Sequence, residues 1–330
     1  MKLSTEVEII PSKWKINYNT RLMTIGSCFA EAVGNRLYES KFQVFPGILG
    51  TIFNPYSISK TLKMSASGML PHVSHFVRAE GNLFFHYDFH SSIYSDISVD
   101  DLDNKIKRIL HQAKLMLQKT DVLILTFGTA FIYRYLKTNE LITNCHKTPG
   151  KEFQKELMRP ETLLTEMDLM LKVLQAFNPE MKIIVTVSPV RHTRDTLPLN
   201  QVSKSVLRLL CHDLESRYEN VNYFPAYEIM LDELRDYRFY EPDLIHPDNV
   251  ATDHIFRCFL KAYLDPDTYD LYKEWQQITQ MISHKPKHGY SAEYGKHLAR
   301  TLERLRSIND RLDVEKEIEE IGLILKNHYS

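Results

Sequence analysis

No stretch of the 330 residues stays apolar for the length of a membrane span, and Met1 to Ile16, with its scattered charges, lacks the apolar core of a signal peptide. Both absences point to a chain that stays in the cytoplasm. Charge of one sign is lacking too. Lys+Arg 41 against Asp+Glu 42 leaves a net charge of −1, so no global field draws nucleic acid or an anionic membrane, and neither is expected as a partner. Cysteine is scarce: Cys28, Cys145, Cys211 and Cys258 stand far apart, without the paired spacing of a metal site and too few for a disulfide scaffold. There is no internal repeat and no low-complexity linker. No GxGxxG follows the first apolar run, which sets dinucleotide binding aside, and no cofactor or metal is expected.

What is present is an alternation of strand and helix patterns, with 43% hydrophobic residues to build a core. Leu22–Ile25 and Phe42–Phe45 read as strands, separated by a helical stretch in which Phe29, Ala32, Val33 and Leu37 share a face. A helix is expected from Tyr56 to about Met64, and an amphipathic one from Asp101 to Lys119 with Ile106, Leu110, Ala113 and Leu117 on one stripe. The run Asp121 to Gly128 is continuously apolar, as in a strand buried on both faces, and should be central. Further helices (Pro160–Phe177, Gln201–Tyr218, Val250–Leu264) alternate with strands at Lys182–Pro189 and Val221–Phe224. The expected fold is a three-layer α/β/α sandwich on a five-stranded parallel sheet, flavodoxin-like, with ligands held beyond the carboxyl ends of the strands. Residues 71–99, rich in His, Phe and Ser, interrupt the pattern as an insertion with short strands at Phe76–Arg78 and Asn82–Asp88.

Thr24-Ile25-Gly26-Ser27-Cys28-Phe29-Ala30 joins the first strand to the first helix. Gly26 permits the sharp turn, and Ser27 falls where the helix dipole and unpaired N–H groups can hold an oxyanion. The hydroxyl there is either a nucleophile or an ordinary N-cap. Cys28, next to it, would either have its pKa lowered by the helix end or simply pack under the turn. Near the end of the domain, Asp243-Leu244-Ile245-His246-Pro247 lies in a proline-bounded loop, where Asp243 can fold back to orient His246.

Gly26-Ser27-Cys28-Phe29-Ala30 spells the signature of the GSCFA domain family, which resembles a distant branch of the SGNH/GDSL hydrolases. Further matches follow in family order over roughly residues 20 to 260: Asn54-Pro55, Phe127-Gly128-Thr129-Ala130, Asn144-Cys145-His146-Lys147, Ser188-Pro189-Val190 and Asp243 to Pro247. The resemblance implies Ser27 as nucleophile, with Asp243 and His246 in the DxxH roles. It also implies oxyanion donors at the Ser27 amide, at a glycine after the second strand, for which Gly50 is placed, and at an asparagine in a GxN motif after the third. Gly128-Thr129-Ala130 departs from that motif. Asn54, Asn144 or the Thr129 hydroxyl would have to replace the missing amide.

The remaining histidines suggest contacts to a polar substrate. His86, Asp88 and His90 alternate, so a strand would set them on one face, and with His146 they invite comparison with a metal site, although half-exposed strands alternate in the same way. Lys147 and Arg191 lie near the expected rim and suit an anionic group, although surface solvation is the ordinary role of both. Residues 1–265 are taken as the catalytic domain and 266–330 as a helical extension. Leu298, Leu302, Leu305 and Ile318, Ile321, Leu325 stripe its helices for packing on the main domain or on a second copy as a homodimer. His284 to Tyr290 reads as a turn. The expected activity is a serine esterase acting on an acyl or acetyl ester, including one of a carbohydrate. O-acyl transfer to a sugar hydroxyl and a non-catalytic carbohydrate- or protein-binding module are the alternatives.

Overall fold

The computed structural model describes residues 5–79, 81–284, 286 and 291–329, so most of the turn expected across His284 to Tyr290 lies outside the described residues. Apolar runs form the strands of the main sheet: β1 (Leu22–Gly26), β2 (Val44–Pro46), then, after an antiparallel hairpin of β3 (Phe76–Ala79) and β4 (Leu83–His86), β5 (Val122–Phe127). An antiparallel sheet of β6 (Phe131–Tyr135), β7 (Glu140–Ile142) and β8 (Phe153–Leu157) follows, and the main sheet closes with β9 (Lys182–Val187) and β10 (Val221–Phe224). The five main strands are all parallel in the order β10-β9-β5-β1-β2, with β5 central as its predominantly apolar run requires.

Alternate residues of each strand serve opposite faces. Met23, Ile25, Leu123, Leu125, Ile183 and Val185 pack beneath α2 (Pro55–Ser67), α3 (Val99–Lys119), α4 (Pro160–Phe177) and α5 (Leu197–Arg217). Leu22, Val122, Ile124, Ile184 and Phe224 face α1 (Cys28–Glu39) and α7 (Asn249–Tyr263), with a single helical turn, α6 (Ala226–Glu228), beside them. Each fully buried Leu or Ile contributes about 1.5–3 kcal/mol relative to exposure, so both helical layers are held by the strands' period of two. Helix ends are capped by side chains at Ser27, Asn54, Ser98 and Asp248, residue types that accept from the unpaired N–H groups of a first turn.

The order of the strands changes direction between β1 and β5, and the crevice at their carboxyl ends is where such a sheet presents ligand-binding loops. Ser27 follows β1 and Gly128 follows β5, one on each side of that point.

The extension comprises α8 (Pro266–Ser283), α9 (Ala292–Ile308) and α10 (Glu315–Tyr329), which share a core of Trp275, Ile278, Leu298, Leu305, Ile308 and Ile321. Its helices pack on one another and on the end of α1, where Trp275 Nε1 donates to Glu39 O at 3.1 Å and Lys41 pairs with Glu317 at 2.7 Å. No described helix is long and apolar enough to cross a membrane.

Candidate active site

Ser27 leaves β1 at a point the neighbouring strand crowds. Gly26 adopts φ +146, and a Cβ built there would lie 2.1 Å from Thr126 O on β5. The Ser27 N–H donates to that same carbonyl at 3.1 Å, while Ile52 N–H reaches Gly26 O at 2.8 Å and draws the β2 loop over the turn. Ser27 Oγ accepts from Phe29 N–H at 3.3 Å, so at rest it caps α1. A pocket of about 200 Å³ opens over it, lined by Glu31, Gly50, Thr51 and His90. A larger cavity of about 850 Å³ adjoins, sharing Thr51 and His90 with the pocket and reaching Cys28, Asn144, His192 and His246. Burial raises the Cys28 thiol above its ordinary pKa, against the lowering that a helix end alone would give.

His246 sits at the mouth of that cavity on the loop before α7. Its Nδ1 lies 2.7 Å from Asp243 Oδ2, and Asp243 Oδ1 accepts from the Ile245 and His246 amides at 2.8 and 3.0 Å. These bonds hold a turn in which Leu244 takes φ +58, a conformation costly for a non-glycine residue. Glu241 N–H to His246 O and Arg191 N–H to Ile245 O fasten the loop on both sides. The hydrogen bonds from His246 keep Asp243 ionised, its pKa lowered to about 2. Asp248, the next acid, caps α7 through Ala251 N–H at 2.7 Å. No hydrogen bond joins Ser27 to His246 among the described residues.

The groups expected to hold an oxyanion are largely engaged elsewhere. Gly50 N–H donates to Gly47 O at 2.9 Å, and Gly128 and Thr129 N–H both donate to Phe53 O. Asn54 caps α2 with Oδ1 and spends Nδ2 on Thr129 O and Phe131 O, which makes it a brace between loops. The Thr129 hydroxyl lies 3.1 Å from Ser203 Oγ. Asn144 lines the cavity and accepts from His146 N–H through Oδ1, leaving its Nδ2 without a protein partner among the described residues. His146 is buried, stacked on Phe85 at 4.7 Å with Nε2 donating to His86 O at 2.9 Å.

Compared with known families, residues 21–259 match the GSCFA family and residues 275–327 match the GSCFA domain protein C-terminal domain. The chain belongs to the GSCFA family. No curated protein matches it. Among solved structures it is similar to a carbohydrate esterase family 3 protein from Talaromyces cellulolyticus, at 11% identity over 77% of this chain and 99% of that one, with a TM-score of 0.36.

In this GSCFA chain the alternation of His86, Asp88 and His90 does not place the three together. Strand β4 ends at His86, and the chain then turns, with Phe89 N–H donating to His86 O. His86 and Asp88 point into the interior of the insertion, where His75 Nδ1 lies 3.1 Å from Asp88 Oδ2 and Lys60 pairs with Asp88 Oδ1 at 2.7 Å. His75, His86 and Asp88 come within metal-ligand spacing of one another. Both His86 nitrogens are already used, Nδ1 by Asp88 N–H and Nε2 by His72 O, and burial lowers its pKa to about 4. His90 goes instead to the Ser27 pocket.

Two groups at this crevice escape the sequence reading. His192 lies over Gly128, edge-on to Phe53 at 5.7 Å, and burial lowers its pKa to about 4. Lys204, wholly buried on α5, donates to Gly128 O at 2.8 Å and Ser188 O at 2.7 Å, tying together the carboxyl ends of β5 and β9. Burial lowers its pKa from 10.5 to about 7. Below that value the amine is charged in folded and unfolded chains alike. Between about 7 and 10.5 the unfolded chain holds a proton that the folded chain has released, so this residue makes stability rise with pH. Lys204→Met should remove that rise, changing the difference from wild type by about 1 kcal/mol per pH unit in urea denaturation across this window. Parallel stability profiles for the two proteins would show that Lys204 stays charged.

Proposed function

We propose that the chain is a serine esterase of SGNH type that cleaves an acyl or acetyl ester, with a carbohydrate as the alcohol. The observation that carries the reading is the Asp243–His246 pair, bonded at 2.7 Å at the mouth of a cavity that reaches the first residue of α1, beside the Ser27 pocket. Ser27 Oγ attacks the acyl carbon as its proton passes to His246 Nε2, and Asp243 holds the imidazole with its other nitrogen protonated. The tetrahedral intermediate collapses, the alcohol leaves with the proton from His246, and water repeats the sequence to release the acid. A sugar hydroxyl in the place of that water would make the same site an O-acyltransferase. Catalytic hydrogen bonds commonly tighten only once substrate is bound, so the cap that Ser27 makes at rest is compatible with the role. On the cavity wall Arg191 and Arg194 make no ion pair among the described residues, whereas Asp195 is paired with Lys155, a balance that suits an anionic alcohol.

A binding module on the same fold is the second reading, favoured by the engagement of the Ser27, Gly50 and Asn54 donors within the protein. Intact mass after exposure to a fluorophosphonate separates the two. The enzyme reading expects one adduct on wild type, mapped to Ser27, and none on Ser27→Ala or His246→Ala. An unlabelled wild type that also hydrolyses none of a panel of neutral and acidic acetylated sugars would favour the module.

A further inference from the structure

We propose that His90 donates the hydrogen bond to the oxyanion that an asparagine would give in a GxN motif; the inference rests on Ser27 being the nucleophile. Three features of the site lead to it.

The first is position. His90 and Thr51 are the residues common to the Ser27 pocket and to the larger cavity at whose mouth His246 lies. His90 and Thr51 thus form the wall the two spaces share, between Ser27 and the cavity that His246 lines. The second is how the ring is seated. Gly50 has φ +71, and a Cβ built on it would lie 2.7 Å from His90 Cβ. The absence of a side chain at Gly50 is what lets His90 sit there, and since the Gly50 amide is spent on Gly47 O, seating His90 is the contribution left to it.

The third feature is the tautomer. Ser92 N–H points at His90 Nδ1 at 3.3 Å, with Ser92 Oγ at 3.0 Å, so Nδ1 is the acceptor and the proton resides on Nε2. Burial disfavours the charged ring, which lowers the pKa of His90. A neutral imidazole lining the pocket, its Nε2–H bonded to no protein acceptor among the described residues, is a donor that neither needs nor loses a proton during the reaction. As the Ser27 Oγ to carbon bond forms, the carbonyl electron pair moves onto oxygen, and Nε2–H bonds to that oxygen. On collapse the pair returns, the bond to the alcohol breaks, and the proton for the leaving group comes from His246.

The experiment compares wild type, His90→Ala and His90→Gln for kcat and KM on an acetyl ester, with fluorophosphonate labelling of Ser27 in parallel. The side-chain amide of the glutamine variant can present N–H close to where the imidazole Nε2–H lay. The expected result is a fall in kcat of about 10²–10³-fold for His90→Ala with KM changed little, and recovery of tenfold or more in His90→Gln. Retention of kcat by His90→Ala on a labelled, active background would overturn the inference and leave the esterase reading standing. So would a His90→Gln no faster than His90→Ala, which marks a packing role. If wild type neither labels nor hydrolyses any ester, the esterase reading fails first and this inference goes with it.

Discussion

Asp243→Asn is expected to lower kcat by about 10³–10⁴-fold and to leave the fold intact. The asparagine oxygen can still accept from the Ile245 and His246 amides, the two bonds that hold the turn through Leu244. What changes is the atom facing His246 Nδ1, now an N–H₂ where Oδ2 stood at 2.7 Å. Nδ1 must then act as acceptor, the ring proton moves to Nε2, and Nε2 can no longer take the proton from Ser27. The loss is thus one of tautomer and not of structure. Asp248→Asn supplies the control: Asp248 is an N-cap two residues beyond the same histidine, and its loss touches α7 alone, costing well under 1 kcal/mol because asparagine caps as well as aspartate. Because Asp243 is held near a pKa of about 2, it stays ionised throughout any useful assay range, and an acid limb in the rate profile does not arise from it. Steady-state kinetics with a circular dichroism check would decide the matter. An Asp243→Asn enzyme within tenfold of wild type would remove Asp243 from the mechanism.

How legible these features are depends on what each residue must do locally. The strands at Val122–Phe127 and Lys182–Val187 are buried on both faces, so their sequences are predominantly apolar runs, with only Thr126 and Thr186 as polar residues inside them beyond the leading Lys182, and announce themselves. The turn at Gly26-Ser27 is equally plain, since glycine and a capping serine are local requirements of a strand that becomes a helix. The antiparallel sheet of β6, β7 and β8 goes unforeseen. Phe131 to Tyr135 is only partly buried, with Ile132 and Tyr135 the covered positions, and gives neither a clean alternation nor an apolar run. Lys204 left a trace that can be read in hindsight. The buried stripe of α5, Leu207, Leu210 and Leu214, continues toward its N-terminus as Asn200, Ser203 and Lys204. Polar residues on an apolar face near strand ends signal buried partners, here the carbonyls of Gly128 and Ser188. His90 is readable, from its alternation with His86 and Asp88, only as a contact for a polar substrate; its place in the Ser27 pocket depends on a turn in the insertion and on the Gly50 loop, two segments separated in the chain and joined only by the fold.

Gly26 and Gly50 separate what the fold needs from what the site needs. Gly26→Ala should cost about 3–5 kcal/mol, lowering Tm by roughly 4–7 °C, because two penalties coincide. Its φ of +146 is closed to a side chain, and the added Cβ would meet Thr126 O at 2.1 Å and Thr126 N and C at 2.8 Å, all backbone of the central strand. Gly26 is paired in register with Thr126, so relief would require β1 to part from β5 at the point where Ser27 begins α1. Gly50→Ala meets a softer obstacle. The neighbour at 2.7 Å is the Cβ of His90, on a loop that can retreat, and the left-handed φ of +71 costs about 1–2 kcal/mol. The two variants should therefore invert between assays: Gly26→Ala much the worse in thermal unfolding, Gly50→Ala folded yet strongly impaired in turnover because His90 has been pushed away from Ser27. If Gly50→Ala proves as active as wild type, the close approach of Gly50 to His90 is only a packing contact, and the pocket over Ser27 does not depend on it.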